Sequence, residues 1–276
     1  MTGGRGEQMI EVKNITVAYG SDTVVKNVSF AMKPGEVIGI VGESGSGKST
    51  LLKSILGLLD SRAKVLGGEI RLNGKNLLEF PPARMRQIRG KEIAMVFQHP
   101  ELSLDPVWTV GRSFYESIRV HREITKKEAN VLGRKLLEAL ELGEPDKILS
   151  SYPFELSGGM CQRAAIAIAM ANRPGILLAD EPTSALDVTV QKQVIETMMQ
   201  MRKEFGASIL IVSHNIGVIA KMADFVGVMR RGQMVEWGTK EEVLYSPKQD
   251  YTKALIRAVP KMGGELPAAE EEGIHG

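Results

Sequence analysis

At 276 residues, 43% hydrophobic and 25% charged, the chain has enough apolar side chains for one large core, or one core plus a lobe. Its net charge of +2, from 35 basic and 33 acidic residues, sets up no field that would draw it to nucleic acid or a membrane surface. The single Cys161 excludes an intrachain disulfide and a cysteine-built metal or iron–sulfur centre, which suits a reducing cytosol.

No run approaches the ~20 apolar residues that span a bilayer. The longest candidate, AAIAIAMA after Arg163, is Ala-dominated and reads as a packed helix. The start, MTGGRGEQM, lacks the apolar stretch of a signal peptide, so none is expected, and any membrane role is expected to run through partner chains.

In chain order, MIEVKNITVAY from Met9 and VVKNVSFAM from Val24 alternate with β period, separated by turn-prone Gly20, Ser21 and Asp22. The apolar run Val37 to Val41 suits a buried strand, and a helix is expected from Ser49 to about Leu59. GEIRLNG, Gly68 to Gly74, reads as a strand closed by an Asn-Gly turn, and AMVFQ, Ala94 to Gln98, as another buried strand. Arg84, Arg86, Arg89 and Lys91 read as a solvated helix face. Val110 to Leu142 is helical by pattern, with Thr125 and Glu128 spaced as a capping box. A βα alternation then resumes, with helices at 159–172, 188–205 and 216–222 and strands at 176–179, 208–212 and 225–229. From Gly232 a short strand precedes helices near 239–244 and 250–259. The tail MGGELPAAEEEGIHG, rich in Gly, Pro, Ala and Glu, is expected to be disordered.

Three segments carry chemistry. Gly42, Glu43, Ser44, Gly45, Ser46, Gly47, Lys48 and Ser49 satisfy the phosphate-loop pattern, between a strand and a helix as the mechanism requires. The glycines let the backbone wrap phosphates, Lys48 adds a point charge for the β and γ phosphates, Ser49 is placed to ligate Mg²⁺, and Thr50 can support the α-phosphate. Downstream, the apolar residues Ile176 to Ala179 end in Asp180 and Glu181, a costly pair to bury without a cation or hydrogen bonds. Asp180 is the candidate to hold Mg²⁺ through water, and Glu181 the candidate to polarise an attacking water. The plain alternative is a pair of carboxylates capping the end of a strand. Third, Ser157, Gly158 and Gly159 open an Ala-rich helix, a way to aim bare N–H groups at an anion.

Taken together, the loop, the SGGMCQR segment and DEPTSALD give the chain a close likeness to an ATP-binding-cassette (ABC) nucleotide-binding subunit over nearly all of Met9 to Pro260. The resemblance implies an α/β fold: a P-loop NTPase core of mainly parallel sheet, an N-terminal antiparallel β-subdomain and an inserted helical subdomain. It places the core in 9–98 and 158–260, the helical subdomain in 99–157 and the tail in 261–276. It implies ATP and Mg²⁺ as cofactors and adenine stacking by Tyr19, which alone would read as a strand aromatic. Gln98 is implied to touch Mg²⁺ and link the site to the helical lobe. Ser157, Gly158 and Gly159 are implied to close on ATP held by an opposite subunit. Ser184 to Asp187 are implied to cross the dimer interface, and His214 to contact the γ-phosphate. One departure is Asn215, where the family commonly has Asp; Asn caps a helix about as well, so helix 216–222 is expected to survive. Cys161, within the signature helix, reads as a small buried filler.

Within the family the chain is most similar to the peptide and nickel importer branch, through QHPELSLDPVWTVG from Gln98, DEPTSALDVTVQ from Asp180 and YSPKQDYTKALIRAVP from Tyr245; Asp105 stands where that branch usually has Asn. That implies a peripheral subunit on the cytoplasmic face of a membrane, driving uptake of a peptide, nickel or metal-chelate solute. Its partners would be permease subunits docked on the helical subdomain, a second ABC ATPase subunit, the same or related, and indirectly a solute-binding protein; no nucleic acid is implied. The competing reading is a soluble cassette ATPase serving a non-transport system such as phosphonate cleavage. A phosphate-loop kinase would leave Leu156 to Arg163 without purpose.

Overall fold

In the computed structural model, which describes residues 9–258, the alternation from Met9 becomes β1 (Ile10–Tyr19), paired antiparallel with β2 (Asp22–Met32). The apolar run becomes β3 (Val37–Val41), buried at every residue. Helix α1 (Lys48–Leu56) stops three residues before the expected end, because Gly57 turns left-handed and its N–H returns to Lys53 and Ser54 carbonyls. Strand β4 (Ala63–Leu72) is longer than expected and pairs with β5 (Lys75–Asn76) across the Asn73-Gly74 turn. Helix α2 (Pro82–Ile88) leads to β6 (Ile93–Val96). Of the basic cluster, Arg84 and Arg86 are solvated, but Arg89 donates to the Leu56 and Gly57 carbonyls at 2.8 and 3.0 Å. Its guanidinium closes the end of α1, which a cation near a helix C-terminus does favourably.

A helical stretch follows: α3 (Pro100–Ser103), α4 (Val110–Arg119), α5 (Lys126–Ala139) and α6 (Pro145–Ser150). The 110–142 pattern is two helices, and Thr125 and Glu128 form the capping box that starts the second. The chain continues through α7 (Gly158–Ala169), β7 (Ile176–Asp180), α8 (Val188–Phe205), β8 (Ser208–Ser213), α9 (Ile216–Met222) and β9 (Phe225–Arg230). It closes with β10 (Gln233–Thr239), α10 (Lys240–Tyr245) and α11 (Asp250–Arg257). The signal-peptide and tail expectations, at 1–8 and 261–276, lie outside the described residues.

Two sheets organise these elements, in orders β2-β1-β4-β5 and β10-β9-β3-β8-β7-β6. In the second, β9, β3, β8, β7 and β6 run parallel and β10 antiparallel. Alternation along the buried strands sends side chains to two cores. Ile38, Ile40, Leu178 and Leu210 pack with α1 and the first sheet, while Ala179, Ile209 and Ile211 pack with Phe114, Ile118 and Leu137 of α4 and α5. Among the described residues no helix is long and apolar enough to cross a membrane. The sheet order has one consequence for chemistry: β3, β8, β7 and β6 are neighbours, so the segments leaving their carboxyl ends meet along one edge.

Candidate active site

The loop leaving β3 is shaped by close backbone approach. A Cβ at Gly47 would collide with the Val24 carbonyl oxygen, and one at Gly42 with the Met229 carbonyl oxygen. Gly47 also has φ 100°, a conformation glycine adopts without penalty. Having no side chain, it leaves the first-turn amides of α1 without an intrachain cap, and no acidic residue occupies that turn. Bare N–H groups with no competing carboxylate suit an anion. Ser46 is buried and accepts from the Gly232 N–H at 3.0 Å, so the β9–β10 turn braces the loop from behind. Glu43, Ser44 and Gly45 face solvent at the rim.

Lys48, only 4% exposed, donates to the Gly42 carbonyl at 2.8 Å, the Glu43 carbonyl at 2.9 Å and the Ser46 hydroxyl at 3.4 Å. Burial pulls its pKa down, and the negative charges of Glu181, Asp180 and Glu43 oppose that. Ser49 donates its hydroxyl to Asp180 Oδ1 at 2.6 Å, and Thr50 follows half-buried on α1. Asp180 is 4% exposed; burial pushes its carboxyl upward, against the Ser49 hydrogen bond and the charges of Lys53 and Lys48.

Glu181 leaves the strand in a left-handed conformation, φ 45°, with its N–H held by the Val212 carbonyl at 2.9 Å. Such a backbone in a non-glycine residue costs of order 1–3 kcal/mol and persists where surroundings over-determine it. Its effect is to separate two adjacent carboxylates. Asp180 stays in the sheet, and Glu181 Oε2 lies 2.8 Å from His214 Nδ1, beyond the end of β8. Because a carboxylate only accepts, Nδ1 carries the proton. Gln98 Nε2 lies 3.5 Å from Glu181 Oε2, at the outer limit of a hydrogen bond, and donates to Ser184 Oγ at 3.3 Å. Asn215 turns to its own helix, accepting from the Gly217 N–H at 2.9 Å, and α9 spans the expected residues.

A second cluster forms where α7 and α8 begin. Ser157 accepts from the Met160 N–H at 3.3 Å and Asp187 from the Val190 N–H at 3.0 Å, each capping its helix. Gly159 has a packing reason of its own, since a Cβ there would collide with Val190, while at Gly158 the nearest atom would be Leu186 Cδ2 at 3.7 Å. Gly159→Ala is therefore expected to lower unfolding free energy by about 1–3 kcal/mol in urea titration, with Gly158→Ala nearly neutral. Equal midpoints for both variants would refute this packing account. Ser184, bonded to Gln98 at 3.3 Å, donates its N–H to the Glu181 carbonyl at 3.0 Å and so belongs with the first cluster. Tyr19 stands apart, half-buried at the end of β1, on the hairpin that supplies Val24 to the loop. Two supports were not legible in any motif: the Gly232 turn behind Ser46, and Tyr251, whose hydroxyl accepts from the Glu43 N–H at 3.3 Å.

A family model described as ABC transporter matches residues 25–184, which span the loop and both carboxylates. The glutathione import ATP-binding protein GsiA of Escherichia coli strain K12 is 40% identical over 265 residues, covering 92% of this chain and 42% of that protein. The chain thus spans less than half the length of that relative. A putative peptide import ATP-binding protein, BAB2_1052 of Brucella abortus strain 2308, is 42% identical over 262 residues, covering 94% of this chain and 79% of that protein. Among solved structures, a dimeric post-hydrolysis state of the ATP-binding cassette MJ0796 bound to ADP and Pi superposes with TM-score 0.74 at 30% identity, over 84% of this chain and 99% of that one. A shared cassette fold, with the loop and carboxylates inside the matched span, shows that the chain belongs to the ABC transporter family, as one of its ATPase cassettes.

Proposed function

We propose that this chain is the ATP-hydrolysing subunit of an importer for a peptide-class solute. The observation that carries the chemistry is the meeting of Lys48, Ser49, Asp180, Glu181, Gln98 and His214 at four adjacent strand ends. Phosphoryl transfer needs positioning and charge stabilisation more than covalent chemistry, and these groups supply both. The loop amides from Gly42 to Thr50 cradle the phosphates, and Lys48 moves from its own loop carbonyls to the β and γ phosphates. Glu181 takes the proton of the attacking water, with its carboxylate oriented by His214 and Gln98. Tyr19 is assigned to the adenine face.

The donor set fits Mg²⁺. Ser49 and Asp180 offer paired oxygens, and a buried carboxylate that burial disfavours as an anion gains from a cation. Ser49 and Asp180 would hold it, with Gln98 nearby, and when bound it neutralises phosphate charge.

Ser157, Gly158 and Gly159 begin α7 in the second cluster, and we assign them to the ATP of an opposite subunit, the same or related, with Asp187 beside them at that interface. The dimeric cassette that this fold matches supports the arrangement. The helical stretch 99–157 is the assigned contact for membrane permease subunits, which places the chain peripherally on the cytoplasmic face, with a solute-binding protein upstream. Import of a peptide is favoured over nickel or a metal chelate by the names of the relatives. Gene disruption should abolish uptake of labelled short peptides or glutathione. Unchanged uptake of peptides, glutathione and nickel would refute the import reading while leaving the ATPase intact.

A further inference from the structure

The last described helix reaches back to the phosphate loop. Tyr251, in the first turn of α11, packs with Leu255 and Ile256 against the large apolar cluster, and Thr252 beside it is buried. The approach of this helix is set by the β9–β10 hairpin. Glu236 of β10 accepts from the Lys248 and Gln249 N–H groups at 2.7 and 3.3 Å. That carboxylate stands at the start of α11, where Gln249 provides no side-chain cap, so it both fixes and favours the helix start. Arg230 of β9 lies over the Tyr251 ring, 4.6 Å from its centroid. The ring is thus held by the hairpin whose Gly232 turn braces Ser46.

From that position the phenol oxygen accepts the Glu43 N–H at 3.3 Å. On the same residue, the Glu43 carbonyl accepts from Lys48 Nζ at 2.9 Å and from the Ser46 N–H at 3.1 Å. One backbone residue therefore joins Tyr251 to Lys48 and to the turn of the loop. Burial pushes the Tyr251 pKa up, with the Glu43 N–H and the Arg230 charge opposing it.

We infer that Tyr251 is a positioning residue for nucleotide binding, which holds the Glu43 backbone so that the loop is already in shape when phosphates arrive. It touches no reacting atom, and its contribution is preorganisation of the loop. The inference rests on the ATPase reading above. If the ring merely filled space under α11, phenylalanine would serve equally well, because the packing and the cation over the ring would persist.

Purified wild type and Tyr251→Phe are compared by fluorescent-nucleotide titration, by steady-state hydrolysis, and by hydrogen exchange at residues 43–46 without nucleotide. A net hydrogen bond of 0.5–1.5 kcal/mol corresponds to about 2- to 10-fold in affinity. The variant is therefore expected to show Kd and KM for ATP raised by about 2- to 10-fold, kcat within about twofold, and faster exchange across the loop. Unchanged Kd and KM, or a fall in kcat at constant KM, would overturn the assignment. So would loss of a cooperative melt, which would make the hydroxyl a determinant of the fold rather than of the loop. Failure of wild type to bind ATP would sink the ATPase reading together with this one, so the two failures are told apart by the wild-type arm.

Discussion

Lys48→Ala is expected to weaken ATP binding by about 10- to 100-fold, since hydrogen bonds to a charged group contribute about 1.5–3 kcal/mol. It should also lower turnover by about 10²- to 10³-fold, the scale seen on removing a donor aimed at developing negative charge. The fold should not suffer equally. Burial lowers the Lys48 pKa from 10.5, so the folded protein binds this proton less readily than the unfolded chain does. Stability contributed by this group therefore rises with pH between the depressed folded value and 10.5, and below that window the protonated lysine costs stability. Alanine removes that cost along with the bonds to Gly42 and Glu43. A nucleotide-free melting temperature near that of wild type, with binding lost, is the expected pair of results. Wild-type turnover in the purified variant would reject the loop assignment.

Glu181→Gln separates binding from chemistry. Glutamine keeps an oxygen that can accept from His214 Nδ1 and adopts the same φ of 45° at similar cost, so the site should keep its shape. It cannot take a proton from water. Turnover should fall by about 10²- to 10⁴-fold, the range for losing a positioned general base, while ATP affinity stays within severalfold. With ATP bound but not hydrolysed, the variant should accumulate as a dimer in size-exclusion chromatography with ATP and Mg²⁺. A monomer that hydrolyses ATP normally would contradict both the base assignment and the shared site.

What could be read from the chain alone was what is contiguous along it. The pattern from Gly42 to Ser49 is legible because the chemistry it implies is backbone geometry plus two side chains within eight residues, between a buried apolar run and a helix. Caps were legible for the same reason: Thr125 with Glu128, and Asn215 before Ile216, act across three or fewer positions. The strands from 176 and 208 and helix 188–205 followed from apolar runs and periodicity. Local signals were weaker where a partner from elsewhere decided the outcome. Helix α1 was expected to run to about Leu59, but Gly57 ends it and Arg89, 32 residues away, secures the end. Roles for Tyr19, Gln98, Ser157 and His214 came from family resemblance, since each residue alone has an ordinary structural reading.

Tertiary structure alone decided which of these residues meet. Ser49 reaches Asp180 across 131 positions, Gln98 reaches Ser184 across 86, and Glu43 reaches Tyr251 across 208. These contacts depend on strand order, which places the carboxyl ends of β3, β8, β7 and β6 side by side, and on the hairpin that carries α11 back to the loop. The physical reason is one of range. Turns, caps and amphipathic faces are set by interactions a few residues long, whereas a site drawn from separate loops exists only after burial of the apolar strands has chosen their neighbours.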